Sequence, residues 1–146
     1  MRRRIGWAGP LGAALVLAAT GCASVAVHGV VRTTDGHPLR FATLTLQLPA
    51  AKAGWFSTSP DSAGCFSIYE SARRGQTDYE VVVTAHGFKP LTIPVEARRP
   101  RLIVVTMAPD TGDDESTARS IEPEERNRLY QIPCEPVGRP GALTLH

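Results

Sequence analysis

The sequence predicts an all-β fold, a seven-stranded β-sandwich, and three observations carry that expectation. Between Val25 and Pro109 the dominant pattern of apolar residues is alternation with a period of two. That period sends successive side chains to opposite faces of a strand. Clusters of Gly, Pro, Asp and Ser interrupt the alternation at short intervals, as turns between strands require. No part of this body spaces its apolar residues by three and four, the spacing of a half-buried helix.

The strands follow in order. Val25, Val27 and Val31 open the first, with Gly29 as a bulge or a point of close backbone approach. Thr34-Asp35-Gly36-His37-Pro38 makes a turn, because Gly supplies positive φ and Pro sets the exit. The second run places Ala42, Leu44, Leu46 and Leu48 on one face and Phe41, Thr43, Thr45 and Gln47 on the other. Trp55 to Thr58 is a shorter third strand. Asp61-Ser62-Ala63-Gly64 turns the chain into Cys65 to Tyr69, where Phe66 and Ile68 share a face. Tyr79, Val81 and Val83 line one side of the fifth strand, Gly87 turns it, and Leu91, Ile93 and Val95 line the sixth. Leu102 to Met107 is β-branched enough for a central strand, with Ile103, Val105 and Met107 facing inward.

These motifs carry a resemblance. Gly29 to Leu39 followed by Ala42-Thr43-Leu44-Thr45-Leu46 resembles the opening of carboxypeptidase regulatory-like domains. Asp61 to Phe66 looks like their second turn, and Tyr79 to Phe88 like their later strand with its Gly-aromatic corner. The resemblance spans Val25 to Pro109 and implies a transthyretin-like, or prealbumin-like, sandwich. It implies nothing about activity. Cys65 departs from the family, which usually has a polar residue there.

The sequence before this body reads as an address. Arg2, Arg3 and Arg4 form a positive n-region, and Ile5 to Ala19 is mostly apolar but short for a permanent span. Ala19-Thr20-Gly21-Cys22 resembles the bacterial lipobox, with Ala19 where Leu is commonest. This implies that residues 1–21 are a cleaved lipoprotein signal and that Cys22 receives the lipid, leaving residues 22–24 as the lipidated N-terminus. Ordinary signal cleavage nearby, or an uncleaved anchor, is the competing reading. More than one acyl chain, at about 0.8 kcal/mol per CH₂, makes such an anchor stable. The absence of Asp after Cys22 implies, by the same resemblance, the outer membrane facing the periplasm. Membrane lipid and another envelope protein are then the expected partners.

Beyond the leader the charge is close to neutral, which argues against nucleic acid as a partner. A body of about 85 residues buries a modest fraction of its surface, so a covalent staple matters. With Cys22 lipidated, Cys65 and Cys134 form an even pair in an exported chain and invite a disulfide. Closing a loop of that length contributes roughly 4 kcal/mol in the chain-entropy model. The alternative is two unpaired thiols. Residues 110–146 read as a polar, mostly irregular tail: Asp110 to Thr117 is an acidic connector, Glu122-Pro123-Glu124-Glu125 resembles the first turn of a short helix, and Leu129, Tyr130 and Ile132 are apolar anchors before Cys134.

Chemistry leaves few marks. His28, His37, His86 and His146 fall at no metal-ligand spacing, and Asp35 and Asp61 sit in turns, too few for a calcium site. No nucleophile, base and orienting acid share a local signature, so neither a catalytic residue nor a cofactor is expected. The chain ends Gly141 to His146 without the Tyr-Arg-Gly-Ser signature of the hydroxyisourate hydrolases that share this general fold. Trp55 and Phe56 are candidates for an aromatic platform binding a glycan or peptide; core or edge cover is the plainer reading. Arg73-Arg74 and Arg98-Arg99-Pro100-Arg101 are solvated loops or contacts for anionic headgroups. The expectation is therefore a non-enzymatic binding or structural module in the cell envelope, with a carbohydrate-binding accessory protein as the alternative and a small hydrolase third.

Overall fold

The computed structural model describes residues 22–51, 53–121 and 134. The leader, the short helix expected at Glu122, the anchors Leu129, Tyr130 and Ile132, and His146 lie outside the described residues. Within them are eight strands and no helix: β1 Ser24–Thr33, β2 Thr43–Gln47, β3 Gly54–Thr58, β4 Cys65–Ser71, β5 Asp78–Thr84, β6 Leu91–Glu96, β7 Arg101–Met107 and β8 Thr117–Ser120. They form an all-β sandwich of two four-stranded sheets, ordered β4-β1-β7-β8 and β3-β2-β5-β6. Neighbours pair antiparallel except β1 and β7, which run parallel in register from Val27 against Arg101 to Thr33 against Met107.

The core is the interface that alternation implies. Val25, Val27 and Val31 of β1, Phe66 and Ile68 of β4, and Ile103, Val105 and Met107 of β7 are buried against Leu44 and Leu46 of β2, Tyr79, Val81 and Val83 of β5, and Ile93 and Val95 of β6. Burying one such side chain stabilises by about 1.5–3 kcal/mol before entropy is set against it. Leu48 lies just past the end of β2 and is only partly buried. Phe41, in the turn before β2, is 74% exposed.

Gly29 is a point of close approach. The β1–β4 and β1–β7 registers run through it without interruption, and a Cβ there would collide with the carbonyl of Ile103. The glycine is what lets the parallel pair close.

The eighth strand extends the sandwich beyond Pro109, into the segment expected to be an irregular tail. All four residues of β8 are exposed, so no alternation announces it; backbone pairing with β7, from Ile103 against Ser120 to Thr106 against Thr117, is what orders it. Nor is the acidic connector before it loose. The buried Ser116 hydroxyl accepts from the Ala108 N–H at 3.0 Å and donates to the Lys89 carbonyl at 2.6 Å. Lys89 Nζ in turn reaches the Asp114 carbonyl at 2.8 Å and the Glu115 carboxylate at 3.1 Å.

Ile121, just past β8, folds over the outer face of the first sheet. Together with Val30 and Val104 it forms a second apolar cluster, and Leu102 and Cys134 pack against it. Val104, on the outward row of β7, is buried for this reason.

Candidate functional site

Strand directions sort the loops into two ends. β1 begins at one, the entry end, beside the β2–β3 turn and loops 72–77 and 97–100. The far end gathers loops 34–42, 59–64, 85–90 and 108–116. Cys22 stands at the entry end, exposed and with its thiol free, two residues before β1. The residues that follow it are clamped. The Ala72 N–H donates to the Ala23 carbonyl and the Arg98 N–H to the Ser24 carbonyl, both at 2.8 Å. The Ala97 N–H donates to the Thr77 carbonyl, also at 2.8 Å, which ties the two loops together.

Cys65 and Cys134 are joined by a disulfide, with Cα atoms 5.4 Å apart. Cys65 lies opposite Val30 on the outward row of β4, because Phe66 takes the inward one. Cys134 therefore rests on the outer face of the first sheet. Its Sγ rests 3.5 Å from the Gly29 carbonyl oxygen. A disulfide sulfur has no hydrogen to donate, so this is a packing contact.

Trp55 and Phe56 are both half-buried against the core. The β2–β3 register shifts between Leu46 and Gln47, leaving Trp55 as the extra residue of a bulge while Phe56 faces Leu46. The Trp55 ring meets Tyr79 edge-on, with centroids 5.7 Å apart, and the Arg73 guanidinium lies 4.7 Å above its centre. Tyr79 completes the arrangement by accepting a 2.8 Å hydrogen bond at its hydroxyl from the Arg73 N–H. The indole is thus engaged by both Tyr79 and Arg73.

The turn aspartate Asp61 organises backbone. Its Oδ1 accepts from the N–H groups of Ala63 and Cys65, each at 2.9 Å, and Gly64 adopts φ +80° to close the turn. His37 and His86 are exposed in far-end loops. No group of three His, Cys, Asp or Glu gathers at metal-binding distance among the described residues.

The sequence did not signal one pairing. His28 Nδ1 and Ser67 Oγ are 2.9 Å apart on the outer face of the first sheet. They are 39 residues apart in the chain and meet because they stand opposite each other in the β1–β4 register. A serine beside a histidine is two parts of a nucleophilic site, but a cross-strand hydrogen bond between half-buried polar groups accounts for the geometry without invoking one.

No family model matches this sequence, and no curated protein matches it. Among solved structures, it is similar to a candidate membrane-associated protein of unknown function from Bacteroides fragilis NCTC 9343, at 20% identity and TM-score 0.39, over 61% of this chain and 29% of that one. It is also similar to 3-chlorocatechol 1,2-dioxygenase from Rhodococcus opacus 1CP, at 11% identity and TM-score 0.41, over 68% of this chain and 61% of that one. Catechol 1,2-dioxygenase from Acinetobacter sp. ADP1 matches at 11% identity and TM-score 0.40, over 72% of this chain and 55% of that one. The chain thus spans less than two thirds of the length of each. Likeness at this level carries no argument about what the chain does.

Proposed function

We propose that this chain is a cell-envelope lipoprotein: a non-enzymatic binding or structural β-sandwich held at the outer membrane, on its periplasmic side, by acyl chains on Cys22. One observation carries the reading. Cys22 is exposed, its thiol is free, and it stands two residues before a clamped first strand, while the other two cysteines are committed to each other. The lipobox-like Ala19-Thr20-Gly21-Cys22 and the disulfide, which suits an oxidising compartment, support the same assignment. The order of motifs that resembles carboxypeptidase regulatory-like domains is consistent with the observed sandwich.

The partner in this reading is another envelope protein, met through an exposed strand edge. β3 is blunted as a template by its bulge and β6 by Pro94, devices that discourage strand addition. β4, at seven residues, is the longest of the four edge strands and carries the exposed Tyr69. It is the edge on which strand addition has most to pair with. The carbohydrate reading receives no comparable support, because the indole of Trp55 is already engaged by Tyr79 and Arg73.

Labelling with palmitate, followed by intact-mass analysis of the envelope fraction, tests the anchor. Residue 22 is expected at the N-terminus with fatty chains attached, and Cys22→Ala is expected to abolish both label and cleavage. A mature chain that keeps Met1, or an unmodified Cys22, refutes the proposal.

A further inference from the structure

The entry end of the sandwich gathers the arginines that the sequence scatters. Arg73 and Arg74 lie in one of its loops, Arg98 and Arg99 in another, and Arg101 begins β7 beside them. Neither loop 72–77 nor loop 97–100 contains a carboxylate. The far-end loops have the opposite balance: Asp35, Asp61, Asp110, Asp113, Asp114 and Glu115 stand there against Arg40 and Lys89. Among the described residues the carboxylates near the entry end, Glu70, Asp78, Glu80 and Glu96, are in strands; Glu80 accepts from the Gln47 amide at 3.2 Å and Glu96 is taken up by Arg99 at 3.2 Å. Arg74 and Arg98 are exposed and have no ion-pair partner among the described residues.

We infer that this arginine-bearing end is a contact surface for anionic lipid headgroups, which seats the domain on the bilayer in one orientation. The inference rests on the anchoring reading above, because the lipidated residue is what brings this end to the membrane. Cys22 and Ala23 together span at most about 7 Å of extended chain. That is less than the Debye length of about 8 Å at physiological ionic strength. Both loops are hydrogen-bonded to Ala23 and Ser24, so neither can swing away from the anchor point. β1 is 10 residues long, which puts the acidic loops about 33 Å away, several Debye lengths from the surface. The far end therefore does not cancel the attraction of the near one.

Arg98 adds a separate observation. Its φ is +67°, in the left-handed region that favours glycine, and it is the sole non-glycine with positive φ among the described residues. An arginine held there keeps a charge beside the anchor at a conformational cost that glycine would remove.

The test uses residues 22–146, which retain every described strand and the disulfide, with Cys22→Ser so that no lipid contributes. Partition is measured by co-sedimentation with mixed phosphatidylglycerol–phosphatidylcholine vesicles and with phosphatidylcholine vesicles alone. Each arginine near an anionic surface strengthens binding about fivefold. The Arg74→Ser/Arg98→Gly pair is therefore expected to weaken partition into the anionic vesicles about 25-fold. Arg98→Gly suits the backbone, so loss of fold does not explain that result. Arg40→Ser, at the far end, is expected to leave partition unchanged, and high salt is expected to abolish it.

Equal partition into both vesicle types, or equal weakening by Arg40→Ser, overturns the inference. So does retention on heparin without any partition into anionic vesicles. If Cys22 proves acylated while partition ignores lipid charge, the anchor stands and this inference falls. If partition follows lipid charge and the arginines while Cys22 proves unmodified, the surface stands and the anchoring proposal falls.

Discussion

Gly29 and Ile103 lie so close across the parallel β1–β7 pair that the glycine Cα faces the Ile103 carbonyl with no room for a methyl group between them. The Phe66 ring closes the same space from β4, at 3.0 Å from where a Cβ would stand. Gly29→Ala is accordingly expected to destabilise the fold by about 1–3 kcal/mol, the usual range for overpacking. A lower midpoint in urea with an unchanged slope checks it. An unchanged midpoint would mean that β1 and β7 separate easily, which the packed inner rows argue against.

The disulfide is expected to matter more than any single core side chain. In the chain-entropy model, a loop closed over a sequence separation of 69 residues contributes about 4 kcal/mol. Cys134→Ser, or reduction, loses that constraint and releases Cys134 from the cluster of Val30, Val104 and Ile121. Thermal melting with and without reductant is the measurement, and a drop of well over ten degrees is the expected result for a domain of this size.

Asp61→Ala removes two hydrogen bonds at once, those from the Ala63 and Cys65 N–H groups. A cost of about 1–2 kcal/mol is expected, the range for losing a side-chain cap on exposed backbone donors. Because Asp61 serves as a turn residue, added calcium is expected to leave the melting temperature of the unsubstituted protein where it is. A calcium-dependent rise would reassign the carboxylate.

Arg98→Gly is expected to stabilise the fold by about 1 kcal/mol, since glycine accepts φ +67° without the steric penalty that a Cβ incurs. Chemical denaturation measures it directly. A destabilised variant would show that the arginine side chain makes a contact worth more than the strain it imposes.

Trp55→Ala takes away the edge-on contact with Tyr79 and the ring beneath Arg73. A half-buried indole so placed is expected to contribute about 2 kcal/mol, somewhat below the range for fully buried aromatics. Trp55 is the single tryptophan after residue 21, so its fluorescence reports this corner alone. Glycan fragments are expected to leave the spectrum unchanged; a saturable shift would restore the carbohydrate reading.

Much of the fold could be read from side-chain alternation, because a sheet with one dry face writes its period into the sequence. Leu44, Leu46, Val81 and Val83 all point where alternation sends them. β8 escaped because Thr117–Ser120 are exposed on every side and pair through backbone alone, which no side-chain pattern records. Val104 escaped because its cover is Ile121, a residue 17 positions later in the chain. The outward aim of Cys65 followed from the inward aim of Phe66, and so the disulfide could be anticipated without knowing any distance.

The sequence by itself determined the all-β class, the two dry faces and the turn residues, since each depends on local chemistry or on a period of two; it offered the pairing of Cys65 with Cys134 against two unpaired thiols, and the fold decided it. Only the tertiary structure decided which residues from distant strands become neighbours. Register brought Ser67 to His28, the bulge in β3 turned Trp55 towards Tyr79, and the direction of the strands put Arg73 and Arg98 on either side of the residues that follow Cys22. The physical reason is the same in each case. Side-chain alternation fixes which face a residue points to, whereas backbone hydrogen bonding between strands fixes what stands beside it, and every residue's backbone offers the same donor and acceptor.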